Sequence, residues 1–289
     1  MRNMSEDSII SRRRFLQLSV GLGLATIASA TYLRYIEPHW LSVEHIEIPV
    51  LNLPASLDGK RIAQLSDIHL SHYFSQENLA GALQQVIDLA PDWLVLTGDF
   101  VGDVAAEAQA LVEPLLTLEM PVYAVYGNHD YWSDNATVTR FLHQAKVNVL
   151  LNSATEVEGG LWLAGVDDLW SGHPNLRAAL NDVPPTAPTI LLAHEPDFFD
   201  TVLHENAPIT LQLSGHSHGG QIRLPTFRQD ESGYSTYAPV LPRYGTRYPI
   251  GLRQVQGRFV YTNRGLGVWP IPLRFNCQPE LTLITLRST

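Results

Sequence analysis

Five short apolar runs in this chain each stop on a side chain that can carry a proton or hold a metal. The run 61–66 leads into Asp67-Ile68-His69, 93–97 into Gly98-Asp99, and 121–126 into Gly127-Asn128-His129-Asp130. The run 189–193 ends in His194, and 209–213 leads into Gly215-His216-Ser217-His218-Gly219-Gly220. Short apolar runs closed by glycine or polar residues are the pattern of strands buried on both faces. Residues two apart in an extended segment point the same way, so Asp67 and His69 can aim at one point. Glycines around His216 and His218 permit backbone torsions that a side chain would forbid. A single Gly-Asn or His-x-His has an ordinary explanation as a polar turn. Five such endings in one chain do not, and strand ends are where open α/β sheets hold ligands.

The residue types narrow the chemistry. Five of the eleven histidines fall in these endings. Imidazoles mixed with carboxylates suit a borderline transition metal, whereas calcium and magnesium take oxygen shells. The strand ends carry Asp67, His69, Asp99, Asn128, His129, His194, His216 and His218, more ligands than one tetrahedral ion takes. They suit two divalent ions sharing a bridging carboxylate. The only cysteine, Cys277, excludes an internal disulfide and a cysteine-rich zinc site, and it lies far along the sequence from the histidines. A formal net charge of −10 argues against a basic face for nucleic acid.

Between the five runs the pattern reads as helix, loop and further strand. Helical spacing predicts helices over 75–89, 105–118 and 134–143, with Asp103 capping the second and so leaving Asp99 free. Pro196 suits the first turn of a helix over 197–203. The runs 147–151, 155–157 and 161–165 read as strands of a second sheet, and 281–286 as a last strand. Asp167-Asp168 reads as loop, and His45, His143 and His204 as surface residues. In the lead-in 34–60, residues 43–49 alternate as an edge strand would.

The N-terminus reads as a separate segment, 1–33. Ser11-Arg12-Arg13-Arg14-Phe15-Leu16-Gln17 followed by the uncharged stretch 18–33 resembles a twin-arginine export signal, with Gln17 where a lysine is usual. Ala28-Ser29-Ala30 has the shape of a signal-peptidase site, while 15–33 is just long enough to anchor in a bilayer. The expectation is export by the twin-arginine machinery to the periplasm or extracytoplasmic membrane face, with cleavage and anchoring both open.

The order Asp-x-His, Gly-Asp, Gly-Asn-His-Asp, lone His and Gly-His-x-His, over about residues 61–222, resembles the calcineurin-like metallophosphoesterases. All five blocks stand without substitution. The resemblance implies an α/β, four-layer αββα sandwich with two mixed β-sheets over residues 61–289. It implies that Asp67, His69 and His218 hold one ion, that Asn128, His194 and His216 hold the other, and that Asp99 bridges them. Manganese, iron, zinc and nickel are all compatible with such a shell. His129 would face the scissile phosphate as the catalytic imidazole, with Asp130 orienting it. Hydrolysis would use hydroxide held by the two ions, with no covalent enzyme intermediate.

The tail, with Tyr261-Thr262-Asn263-Arg264-Gly265-Leu266-Gly267, 270–272, Arg274 and 277–281, resembles a branch of exported or membrane-associated phosphodiesterases. Relatives in that branch cleave the pyrophosphate of UDP-diacylglucosamine. The substrate expected is therefore a phosphodiester or pyrophosphate, lipid-linked or nucleotide. Alternatives are a phosphomonoesterase with the same ligands and a non-catalytic metal-binding partner protein. A lipid substrate calls for an apolar surface beside the metals, for which Tyr73, Phe74, Trp132 and Trp170 are candidates. The irregular segment 223–248 is a candidate pocket rim, and Arg243, Arg247 and Arg264 are candidate phosphate contacts.

Overall fold

The computed structural model describes residues 11–227, 229, 233 and 235–289. In chain order the strands are β1 (Ser42–Val50), β2 (Arg61–Leu65), β3 (Trp93–Thr97), β4 (Val122–Val125), β5 (Asn148–Val149), β6 (Ser153–Glu158) and β7 (Leu161–Gly165). They continue with β8 (Thr189–Leu192), β9 (Leu211–Ser214), β10 (Leu224–Pro225), β11 (Thr236–Tyr237), β12 (Gly251–Val255), β13 (Arg258–Thr262) and β14 (Glu280–Ser288). Two six-stranded sheets form, in the orders β1-β14-β2-β3-β4-β5 and β12-β13-β9-β8-β7-β6. Both are mixed: β2, β3, β4 and β5 run parallel, as do β7, β8, β9 and β13, with antiparallel partners further out.

Side-chain alternation explains the layering. In β3, Trp93 and Val95 face Leu163, Ile190, Leu192 and Leu213 of the other sheet. Leu94 and Leu96 face the opposite way, onto the helix Gln76–Leu89 through Leu79, Leu83 and Val86. The second sheet sends Ala164 and Leu191 outward onto Leu176, Phe199 and Val202. The result is helix, sheet, sheet, helix, the expected four-layer sandwich. Strands buried on both faces need apolar residues at every position, which is why the runs read as continuous. Each fully buried leucine in these layers contributes about 1.5–3 kcal/mol. Polar residues such as Gln64 break the pattern. Buried Gln64 on β2 donates to Thr97 Oγ1 and to the Ser214 carbonyl, stitching the two sheets together just below the strand ends.

Two expectations are corrected, and the lead-in forms the edge strand expected of it. The stretch 105–118 is a 3-10 helix, Ala105–Leu111, followed by the short helix Val112–Leu116, and Asp103 does not cap it. Pro114 lacks the N–H that a longer α-helix would need. Residues 148–149 join the first sheet beside β4, because the helix Asn135–Gln144 returns the chain there in a parallel crossover. The lead-in is built into the first sheet, with β1 pairing β14 at its edge. The N-terminal segment meets the fold where it ends. Its helix Arg12–Thr31 has no buried residues, but it runs on through 32–39, where Glu37 and Pro38 are buried. Glu37 Oε1 accepts the Cys277 N–H at 2.7 Å, and the Leu33 carbonyl accepts the Arg274 N–H.

Candidate metal centre

The C-terminal ends of β2, β3, β4, β8 and β9 come together, and hydrogen bonds bind their loops beyond the strands. The Asp67 and His69 N–H groups donate to the Gly98 and Asp99 carbonyls, and the Gly215 N–H to the His194 carbonyl. From the C-terminal part, the Gly267 N–H donates to the Asp67 carbonyl. Asp67, His69, Asp99, His216 and His218 all have positive φ, between 46° and 68°. Such torsions favour glycine and cost a non-glycine residue about 1–3 kcal/mol each. Five strained residues at one place, all Asp or His, point to side chains needed there for something other than folding.

Three groups of buried side chains each bring their ligand atoms within 4.8 Å: Asp67, His69 and His218; Asp99, His194 and His216; and His69, Asp99 and His129. His218 Nε2 lies 3.3 Å from Asp67 Oδ1 and 3.0 Å from His69 Nε2. Asp99 Oδ2 lies 3.5 Å from His69 Nε2 and 3.2 Å from His194 Nε2, so it stands between the first two groups. His216 Nδ1 is 3.2 Å from His194 Nε2. The rings are held by carbonyls at their other nitrogens: His194 Nδ1 by Thr97 O, His216 Nε2 by Arg243 O and His129 Nδ1 by Gly102 O. A carbonyl takes only an N–H, so the inward nitrogens of His194 and His216 keep lone pairs in the neutral rings. Asn128 Oδ1 is buried without a hydrogen-bond partner.

These atoms fit a cation. In the neutral rings His194 Nε2 and His216 Nδ1, 3.2 Å apart, both present lone pairs and repel one another, and the orphaned buried amide oxygen of Asn128 is costly. A divalent ion at each group satisfies them. Protonation points the same way. Burial, foremost, pushes His69 down to about 3 and holds His216 and His218 below the usual range, in the neutral form that binds metal. Burial, with the Asp99 charge also acting, raises Asp67 to about 7. Burial opposes ionised Asp99 and protonated His194, yet their mutual attraction lowers the first and raises the second. A metal-free site thus carries protons that ions would displace.

Asp130 is not where the sequence reading put it. Its two oxygens accept the N–H groups of Gly127, Asp99 and Phe100 at 2.9–3.1 Å. It therefore clamps the loops after β3 and β4, and the Gly102 carbonyl orients His129 instead. Asp167-Asp168 lies in a loop, as the sequence predicts, but it is not solvated. Both are buried; Tyr131 Oη donates to Asp167, and Asp168 accepts the Ser171 N–H. Among the arginines, Arg264 is tied to Glu44 and Glu280, Arg247 to Asp200, and Arg243 meets the site through its carbonyl.

A cleft of about 390 Å³ opens over Asp99, Asn128, His129, His216 and His218. Its walls are Trp132, Trp170, Trp269 and the apolar parts of 239–242 and 270–271. Trp132 lies 4.7 Å from the His129 ring and Trp170 5.8 Å from His216. Phe74 is instead in the core, and Tyr73 lies under Arg34. Trp269, 4.8 Å from His129, was absent from the sequence reading because a proline-rich tail has no period to mark it. Cys277, remote in sequence, donates from Sγ to the His218 carbonyl at 3.3 Å.

Comparison with known proteins agrees with this geometry. The family model described as calcineurin-like phosphoesterase matches residues 60–220. The chain is 35% identical to the metallophosphoesterase YkuE of Bacillus subtilis, over 97% of this chain and 99% of that one. It is 32% identical to the phosphodiesterase YaeI of Escherichia coli, over 96% and 100%. It is 29% identical to the UDP-2,3-diacylglucosamine pyrophosphatase LpxG of Chlamydia trachomatis, over 93% and 98%. A solved dimetal phosphatase from Danio rerio shares the fold at a TM-score of 0.51 and 11% identity, covering 80% of this chain and 93% of that one. The chain belongs to the calcineurin-like phosphoesterase family.

Proposed function

We propose that this chain is a two-metal phosphodiesterase or pyrophosphatase whose substrate joins the scissile phosphate to an apolar group. The observation that carries the reading is Asp99 Oδ2, standing between two buried His/Asp groups on the floor of a tryptophan-walled cleft. Similarity to a phosphodiesterase and to a pyrophosphatase of a diacylated sugar nucleotide supports the substrate class.

In this reading Asp67, His69 and His218 hold one ion, Asn128, His194 and His216 the other, and Asp99 both. When bound, the two ions supply Lewis acidity toward phosphate oxygens and a water activated near neutral pH. Water adds to phosphorus as the P–O ester bond breaks, and the leaving oxygen needs a proton. His129 is suited to give it: with Nδ1–H held by the Gly102 carbonyl, the doubly protonated ring would give its Nε2–H to the leaving oxygen and regain a proton from the one the water releases. The tryptophan walls exclude water from one side and receive the apolar part of the substrate.

Residues 1–33 serve as the membrane-directed segment and the remainder as one catalytic domain. The helix Arg12–His39 is long and apolar enough to cross a bilayer, and the arginines Arg12, Arg13 and Arg14 stand at its start. Export by the twin-arginine route to the extracytoplasmic face is the reading these features support.

The test compares bis(p-nitrophenyl) phosphate with p-nitrophenyl phosphate, using chelated protein, manganese-reloaded protein and reloaded His129→Ala. The expected result is diester hydrolysis only after reloading, poor monoester hydrolysis, and a rate about 10²-fold lower for His129→Ala. Preferred hydrolysis of the monoester identifies a phosphomonoesterase. Two bound ions with neither ester cleaved favours a metal-binding partner protein.

A further inference from the structure

The N-terminal helix does not leave the domain at an arbitrary place. Past the three arginines at its start, its residues 15–31 span roughly 26 Å at 1.5 Å per residue, at the lower end of what crosses a bilayer's hydrocarbon core. At the other end the chain carries Tyr32, Arg34, Tyr35 and Trp40, residue types that settle at a membrane–water boundary, with Arg34 over the rings of Tyr35 and Tyr73. Tyr35 and Trp40 are largely exposed, although nothing in the domain requires an aromatic there. The boundary of the lipid thus falls at residues 32–40.

That level is fixed to the mouth of the cleft by one short strap, 269–277. At its far end the strap is bonded to the helix exit: the Arg274 N–H to the Leu33 carbonyl and the Cys277 N–H to Glu37. At its near end it forms the cleft wall, through Trp269 and Ile271. Arg274 holds it between, donating to the carbonyls of Arg264, Gly265, Gly267 and Cys277. Beside it, Phe275 pairs with Ile222, and Leu224 of β10 pairs with Tyr237 of β11. Ile271, Phe275, Tyr237 and Val240 are 38–76% exposed. Exposed Trp132 and Trp170 line the same cleft, whereas Leu51, Leu116 and Leu151 stand on separate elements away from it. Isolated ones are ordinary; a group around a cleft mouth is the mark of an interaction surface.

We propose that this rim, Val240, Ile271 and Phe275 with Tyr237 beside them, rests in the surface of the bilayer that the chain's own helix crosses. The metal centre then takes its substrate sideways out of the lipid layer. Only the second statement rests on the phosphodiesterase reading; the contact of the rim with lipid does not.

The test uses the full-length chain in phosphatidylcholine vesicles. Val240→Cys, Ile271→Cys and Phe275→Cys are each labelled with a thiol-reactive fluorophore, with Leu116→Cys and Leu151→Cys as comparison sites; Cys277 is buried and the unsubstituted chain reports any labelling there. Lipids brominated in the acyl chain are expected to quench the rim labels several-fold more than the comparison labels, and aqueous iodide to quench them less. Rim labels as open to iodide and as indifferent to bromine as those at 116 and 151 overturn the proposal. Hydrolysis of bis(p-nitrophenyl) phosphate by the unsubstituted, unlabelled chain in vesicles of the same composition reports the chemistry separately. Turnover with an iodide-accessible rim overturns the surface alone, and a lipid-quenched rim without turnover supports the surface while overturning the chemistry.

Discussion

The floor and the wall of the cleft are built in opposite ways. The floor is polar and buried, its backbone is strained, and its loops are bound to one another by N–H···O=C bonds. The wall is apolar and partly exposed, and it is assembled from the short helix Asn128–Ser133, which carries Trp132, and three loops that carry Trp170, Val240 and Trp269. Positions that must hold charged atoms within 4 Å of each other demand a rigid frame, and small displacements there are costly. Positions that only offer apolar surface do not. The floor therefore fixes the reaction and the wall selects what is brought to it. Ring contacts join them, and so do hydrogen bonds: Glu195, next to His194, accepts the N–H groups of Leu169 and Trp170 and so ties that wall loop to the floor.

The comparison breaks most severely at Asp99. Asp99→Ala removes the carboxylate that stands between both groups, and kcat/KM for a diester is expected to fall by about 10³-fold with loss of bound metal. Steady-state kinetics with metal analysis checks this. A variant that retains full activity would show that the floor is not the reaction centre.

Next in size is Gly215→Ala. A Cβ there would meet Ser66 Oγ at 1.8 Å and Asp67 Oδ2 at 2.2 Å, so Asp67 must move. Thermal unfolding is expected to shift down, and metal affinity to drop. Gly81→Ala, on the helix Gln76–Leu89 with open space around it, is expected to do the reverse, adding about 0.5–1 kcal/mol. Equal effects would mean that the close approach of the loops does not matter.

The joint between floor and wall is titratable. Burial, foremost, and the Glu195 charge beside it push Asp168 up to about 9. The folded chain keeps a proton that the unfolded chain loses near pH 4, so the stability it contributes is complete below that pH. It is lost as pH rises through about 9. Metal-free wild-type protein should lose melting temperature between pH 6 and 10 more steeply than Asp168→Asn. Parallel slopes would place the proton elsewhere.

The smallest effect belongs to the wall. Trp170→Ala should raise KM about tenfold for diesters with long apolar groups, a loss of about 1.4 kcal/mol of apolar contact, and hardly alter kcat for bis(p-nitrophenyl) phosphate. A matching loss of kcat for both would make Trp170 part of the floor.

The two regions differed as much in what the sequence disclosed. Strands buried on both faces announce themselves as apolar runs, and the polar residues that end them stand out. The sandwich and the residues of the floor were legible for that reason. The partners of those residues were not. Gly102 and Arg243 act through carbonyls, which every residue has, so nothing in their side chains marks them. Asp130 next to His129 reads as its orienter, but only the fold shows three N–H groups converging on it. Asp167-Asp168 reads as loop, and its burial stays hidden because the buried partners, Tyr131 and Glu195, come from other parts of the chain. Trp269 and the strap lie in a proline-rich tail with no periodicity, and Glu37 docks on Cys277 across 240 residues.

The most direct measurement is the metal content of purified wild-type protein, read by mass spectrometry after reloading and removal of excess ion. The account expects two divalent ions per chain, with diester hydrolysis rising as the second is bound. A chain that binds no ion, or that hydrolyses diesters undiminished after complete chelation, would contradict it.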